Sequence, residues 1–144
     1  MTSDIDRIDD RTDTLLRAVT VPIMAEHVPE QLTGITDPER ALRKLRAAND
    51  GLLCVTLGAR GALALDGDRP VYSSGFPVRA VDTTGAGDVF RGGFIYGLLQ
   101  HWPVERVLRF ANAAAAASCT RLGAIDGVPS LEETLGLIAS QFPA

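Results

Sequence analysis

Gly85-Ala86-Gly87-Asp88 is the stretch of this 144-residue chain whose residue types are best suited to chemistry. Two glycines and an alanine lie between a strand-like run and a helix-like run, so first-turn N–H groups without intrahelical partners can converge on an anion. Such a turn suits a phosphate. Asp88 follows at once, a carboxylate in the first helical turn placed to take a proton from a hydroxyl beside that anion. An anion hole next to a carboxylate base fits phosphoryl transfer to an alcohol, in which charge builds on the transferred group while the acceptor loses its proton. Read alone, the turn also has a plainer explanation: Gly85 and Gly87 permit a tight turn, and Asp88 complements the helix dipole.

The elements that must position this turn follow from hydrophobic spacing. Ile5, Ile8, Leu15, Leu16 and Val19 predict a surface helix over 4–19, ended by Pro22, and 21–25 is a short buried strand. A short helix through Leu32 stops at Gly34, and Asp37 caps a helix that opens on Pro38, with Ala41, Leu42, Leu45 and Ala48 inward. The run 52–57 is apolar throughout, as in a parallel strand covered on both faces. Two short strands, 61–65 and 70–74, flank the turn Asp66-Gly67-Asp68, and Phe76, Val78 and Val81 alternate towards the glycine turn. Helices over 86–100 and from 103 to about 121 come next, the second with an Ala113 to Ala117 run that implies close packing. A last helix follows Ser130, where Glu132 and Glu133 complete a capped first turn. The pattern predicts an α/β fold: one domain over 1–144, a mostly parallel sheet flanked by helices, and a short β-hairpin insert.

Composition narrows the function classes. Lys+Arg 14 against Asp+Glu 18 gives a net charge of −4, without the basic footprint of a nucleic-acid binder. No apolar stretch approaches the roughly 18 residues of a membrane span, and Met1 to Arg17 is too acidic for a signal peptide, so a cytoplasmic setting is expected. Cys54 and Cys119 sit in apolar runs without CxxC spacing and read as reduced core residues. His27 and His101 lack paired ligand spacing and read as surface residues, and Trp102 beside Pro103 reads as a packed helix-boundary aromatic. Arg40, Arg43, Lys44 and Arg46 read as the solvated face of one helix, and Arg60 as either a phosphate contact or an exposed turn residue.

Val81-Asp82-Thr83-Thr84-Gly85-Ala86-Gly87-Asp88-Val89-Phe90-Arg91-Gly92-Gly93-Phe94 closely resembles the C-terminal motif of the ribokinase-like, or pfkB, family of carbohydrate kinases. Two further matches lie in order on either side. Thr56-Leu57-Gly58-Ala59-Arg60-Gly61 resembles the family's nucleotide-phosphate turn. Phe110 to Ala116, continuing through Thr120 to Ala124 and Val128-Pro129, resembles its adenine-side helix and loop.

The resemblance implies Asp88 as catalytic base and the N–H groups of Gly85, Ala86 and Gly87 as the anion hole for the γ-phosphate of ATP. Thr56, Gly58 and Gly61 would line the ATP phosphates and ribose, and Asn112 would border the adenine. Asp82 and Thr84, with Ser118, Arg121 and Gly123, match positions around a monovalent-cation site, implying K⁺ beside ATP and Mg²⁺. The family's Asn-x-x-Glu positions, which help organise magnesium, are occupied here by Ala25 and Val28. The resemblance also implies that this is the nucleotide half of the fold without its N-terminal substrate and lid half. Two readings stay open: ATP-dependent phosphorylation of a sugar or nucleoside hydroxyl, or a catalytically silent module that binds nucleotide or a partner chain. On the truncated reading the isolated chain has little sugar kinase activity, and an exposed sheet edge favours self-pairing or a separate N-terminal half.

Overall fold

The computed structural model describes residues 1–141, which separate into two compact units. One joins Met1–Gly58 to Ala62–Tyr72, and the other joins Ala59–Gly61 to the chain from Ser73 onward.

A five-stranded sheet runs in chain order: β1 (Thr2–Ile5), β2 (Val21–Met24), β3 (Leu53–Thr56), β4 (Gly61–Asp66) and β5 (Arg69–Ser74). The pairs β1/β2 and β2/β3 are parallel and β3/β4 is antiparallel. The two-residue turn Gly67-Asp68 joins β4 to its neighbour β5 as a hairpin. Parallel strands need crossovers, which α1 (Thr12–Ala18), α2 (His27–Thr33) and α3 (Pro38–Leu45) supply. Leu16, Val28, Leu42 and Leu45 from these helices pack with Ile5, Met24, Leu53, Val55, Leu63 and Leu65 from the strands. Each such side chain contributes about 1.5–3 kcal/mol of burial. The α/β fold with a mostly parallel, helix-flanked sheet is therefore observed.

The structure differs from the sequence expectation at the N-terminus. Only Thr12–Ala18 of the segment 4–19 is helical, and Thr2–Ile5 is a strand. Ile5 is buried by parallel pairing with β2, a non-local partner that helical periodicity does not register. The helix starts late because Asp9 Oδ1 accepts from Arg11 N–H while Asp9 N–H donates to Thr12 Oγ1, a local turn that sets the first helical residue.

The basic residues of α3 are a second correction, because they are not simply solvated. Arg46 donates to the carbonyls of Asn49, Gly51, Leu65 and Gly67, Lys44 to that of Thr33, and Arg43 to that of Asp68. The guanidinium of Arg46 thus latches the end of α3 onto the β4–β5 hairpin.

The second unit is built on α4 (Ala86–Leu99), α5 (Val104–Ser118) and α6 (Leu131–Gln141). A Cβ placed on Gly93 would lie 3.1 Å from Ala111 Cα, and one on Gly97 would lie 3.1 Å from Val107 Cγ2, so α4 and α5 approach at backbone distance. Tyr96, Trp102 and Phe110 form an aromatic cluster with the Arg106 guanidinium 4.0 Å over the indole. Ser130 and Glu133 exchange hydrogen bonds between side chain and backbone N–H in both directions, a complete capping box for α6. The alternating segment before the glycine turn is not a strand. Phe76 is buried, but Val81 is exposed and its N–H goes to Cys119 O.

Both cysteines are free, Cys54 fully buried with its thiol pKa pushed up by desolvation. Among the described residues no helix is long and apolar enough to cross a membrane.

Candidate active site

The chain enters α4 through a left-handed residue. Gly85 has φ +78°, and a Cβ there would stand 2.9 Å from Ala124 Cβ, so both conformation and space select glycine. Ala86 N–H bonds to Thr83 O and Val89 N–H to Gly85 O. Between them the N–H groups of Gly87 and Asp88 have no backbone acceptor among the described residues, the arrangement that receives an anion. The Asp88 side chain is 84% exposed and accepts from Arg91 Nη1 at 3.0 Å. Gly85 and Asp88 also edge a cavity of about 570 Å³ that runs along Gly93, Tyr96, Phe110 and Ile125. An exposed carboxylate beside two outward N–H groups can hold an anion and accept a proton within one helical turn.

Asp82 braces the loop that carries this turn. Its two carboxylate oxygens accept from Thr84 N–H and Gly123 N–H, each at 2.9 Å, and these bonds, the Thr84 one foremost, hold its pKa below the usual carboxylate range. Asp82, Thr84 and Gly123 are therefore brought together. Ser118 Oγ instead donates to Ala115 O, and Arg121 pairs with Glu133.

The remaining expected site residues lie apart in sequence and role. Thr56 ends β3 with its Oγ1 3.4 Å from Met24 O, and Gly58 opens a single 3₁₀ turn, both in the first unit. Gly61 belongs to the second; with φ +106° and Ser73 O only 2.0 Å from where a Cβ would sit, it is required by the backbone passing over it. Asn112 is buried on α5 and its Nδ2 donates to Ser73 O at 2.9 Å, which fixes the end of β5.

Side-chain oxygens for magnesium are missing where the family resemblance would place them. Val28 is fully buried in the apolar core and Ala25 packs against it. No group of three or more His, Cys, Asp or Glu side chains gathers among the described residues. These residues do not fit a protein-held magnesium. Sequence reading missed Arg91, whose position three residues after Asp88 on one helix was the available signal.

The model of the pfkB family of carbohydrate kinases matches residues 3–131. The chain is 36% identical over 129 residues to the ribokinase of Haemophilus influenzae, covering 86% of this chain and 42% of that protein. With the ribokinase of Bacillus subtilis it shares 36% over 110 residues, 76% of this chain and 38% of the relative. Among solved structures, Arabidopsis thaliana ribokinase complexed with ribose and ATP superposes with a TM-score of 0.83 at 29% identity, over 94% of this chain and 48% of that one. The chain thus spans less than half the length of these relatives.

Proposed function

The chain belongs to the pfkB family of carbohydrate kinases, and from that premise we propose that it serves ATP-dependent phosphoryl transfer to a sugar or nucleoside hydroxyl. The observation that carries the reading is the exposed Asp88 carboxylate beside the N–H groups of Gly87 and Asp88, which have no backbone acceptor among the described residues. In the proposed step the acceptor oxygen forms a bond to the γ-phosphorus while the bond from that phosphorus to the bridging oxygen breaks. ADP leaves with the electron pair, and the hydroxyl proton passes to an Asp88 oxygen. The N–H groups of Gly87 and Asp88 receive the transferred group, in place of the Gly85 to Gly87 set, because Ala86 N–H is held by Thr83 O, and Thr56, Gly58, Gly61 and Asn112 serve the nucleotide. Asp82 and Thr84, tied to Gly123, offer oxygens to a potassium ion. Ala25 and Val28 offer magnesium no side-chain oxygen.

The same Ala25 and Val28 favour a second reading, a module that binds nucleotide without turnover. Calorimetry with ATP and magnesium, followed by an ADP-release assay over pentoses, hexoses and nucleosides, separates the two. Binding that disappears in Gly87→Asp, with sugar-dependent ADP release, supports the kinase. Binding without sugar-dependent release leaves the silent module, and absence of binding overturns both.

A further inference from the structure

Arg91 lies where the base and the phosphate seat meet. Its Nη1 donates to Asp88 Oδ1 at 3.0 Å, and the same nitrogen is 3.4 Å from the point a Cβ on Gly87 would occupy, with Nη2 at 3.7 Å. The spacing explains the convergence, since residues three and four apart share a helix face and Arg91 reaches back over the first turn. The two partners differ in solvation: the Arg91 side chain is 19% exposed, that of Asp88 84%. A largely desolvated guanidinium interacts strongly with any anion that comes within reach. Asp88 is one anion it meets, and Gly87 places no side chain between the guanidinium and a second.

We propose that Arg91 is a sensor of the terminal phosphate of ATP, holding Asp88 in the nucleotide-free chain and releasing it when a γ-phosphate enters at Gly87. This rests on the phosphate-seat reading above. A terminal phosphate carries up to about two negative charges and three acceptor oxygens, against one charge on the carboxylate. The guanidinium fork matches such a group in bidentate fashion. Transfer of the fork from Asp88 to the phosphate frees the carboxylate to face an acceptor hydroxyl only once a phosphoryl group is present to be transferred. ADP, lacking that group, leaves the Arg91–Asp88 pair closed. Arg91 is in this sense a positioning and specificity residue.

The test is calorimetry of the parent chain, Arg91→Gln and Arg91→Lys with a non-hydrolysable ATP analogue and with ADP. Arg91→Gln is expected to lose roughly ten- to hundredfold in affinity for the ATP analogue, the worth of a charged hydrogen bond, with ADP affinity within about twofold of the parent. Arg91→Lys should recover part of the loss. Equal losses for both nucleotides, or an unchanged ratio, overturn the assignment. The Arg91 guanidinium NMR signal of the parent gives a readout that needs no variant: it should move with the ATP analogue and not with ADP, and movement with both overturns the sensor. A parent that binds neither nucleotide sinks the phosphate seat and this inference together. Binding with an unchanged ratio removes only Arg91.

Discussion

Asp82 and Gly123 stand 41 positions apart and are joined by a 2.9 Å hydrogen bond from the Gly123 N–H to Asp82 Oδ2, while Asp82 Oδ1 accepts from Thr84 N–H. One half-buried residue thus ties the loop before α4 to the loop after α5 through its carboxylate. Asp82→Asn exchanges one acceptor oxygen for an NH₂ group, so one of the two amides loses its partner. Hydrogen exchange at Thr84 or Gly123 is expected to speed up, with the exchange of core amides in β3 unchanged.

Acid should loosen the same clamp. The folded-state pKa of Asp82 is depressed by the Thr84 and Gly123 N–H groups, and that of Glu133 by the Ser130 N–H and then by Arg121. A depressed carboxylate contributes stability that is present above its unfolded pKa and lost as pH falls through the folded one. The loss therefore begins below about pH 4. A denaturation series from pH 6 to pH 2 should fall less steeply at its acid end in Asp82→Asn and in Glu133→Gln than in the parent. Identical acid limbs would show that neither contact survives in solution.

Gly85→Ala meets two penalties at once. A left-handed backbone costs a non-glycine residue about 1–2 kcal/mol, and the new methyl would press on Ala124 Cβ at 2.9 Å. The expected outcome is a stability loss of about 1–3 kcal/mol in urea titration together with weaker nucleotide binding. Adding Ala124→Gly should restore the steric part only. Full restoration would mean that the backbone conformation carries no cost.

Arg46 should matter far more than its neighbours on α3. Its guanidinium donates to four carbonyls, those of Asn49 and Gly51 before β3 and those of Leu65 and Gly67 in the hairpin, and Arg46→Met leaves them without their donor while keeping the length of the stem. Charged hydrogen bonds are worth about 1.5–3 kcal/mol each but do not add, so a loss of about 2–4 kcal/mol is expected, or roughly 5–15 °C in Tm. Exposed Arg40→Ala should stay within about 0.5 kcal/mol. Equal effects at the two positions would refute the latch.

What the residues announced and what they concealed divide along the range of the interactions. The Asp37 cap, the Gly67 turn and the Ser130–Glu133 box are completed within three residues, so local chemistry fixes them. The pairing of Thr2 with Val21 and the bonds of Arg46 to Leu65 and Gly67 join positions about 20 apart, which spacing rules for helices and strands do not register. The same division holds at the candidate site. Gly85 to Asp88 stood out because a glycine turn opening a helix can seat an anion beside Asp88, and the neighbouring family motifs favoured that reading over a plain tight turn. Asn112 drew attention by family resemblance, yet its amide is directed to Ser73 O, 39 residues away, and only the folded backbone reveals that role.

Asp88→Asn tests the base itself. The amide keeps the shape of the side chain and can still accept from Arg91 Nη1, but it cannot take a proton from an acceptor hydroxyl. General-base removal of this kind lowers turnover by roughly 10²–10⁴-fold. In the ADP-release assay with the most active acceptor, run on a competent complex assembled with an N-terminal half, kcat should fall by that amount. The KM for ATP should not rise, because a neutral amide holds the Arg91 guanidinium less tightly than a carboxylate and leaves it more available to phosphate. Asp88→Glu retains the proton acceptor but sets it one methylene further out, so it should fall between the parent and Asp88→Asn. An Asn variant as fast as the parent would assign the proton to another group. A rise in KM without a fall in kcat would make Asp88 a binding residue.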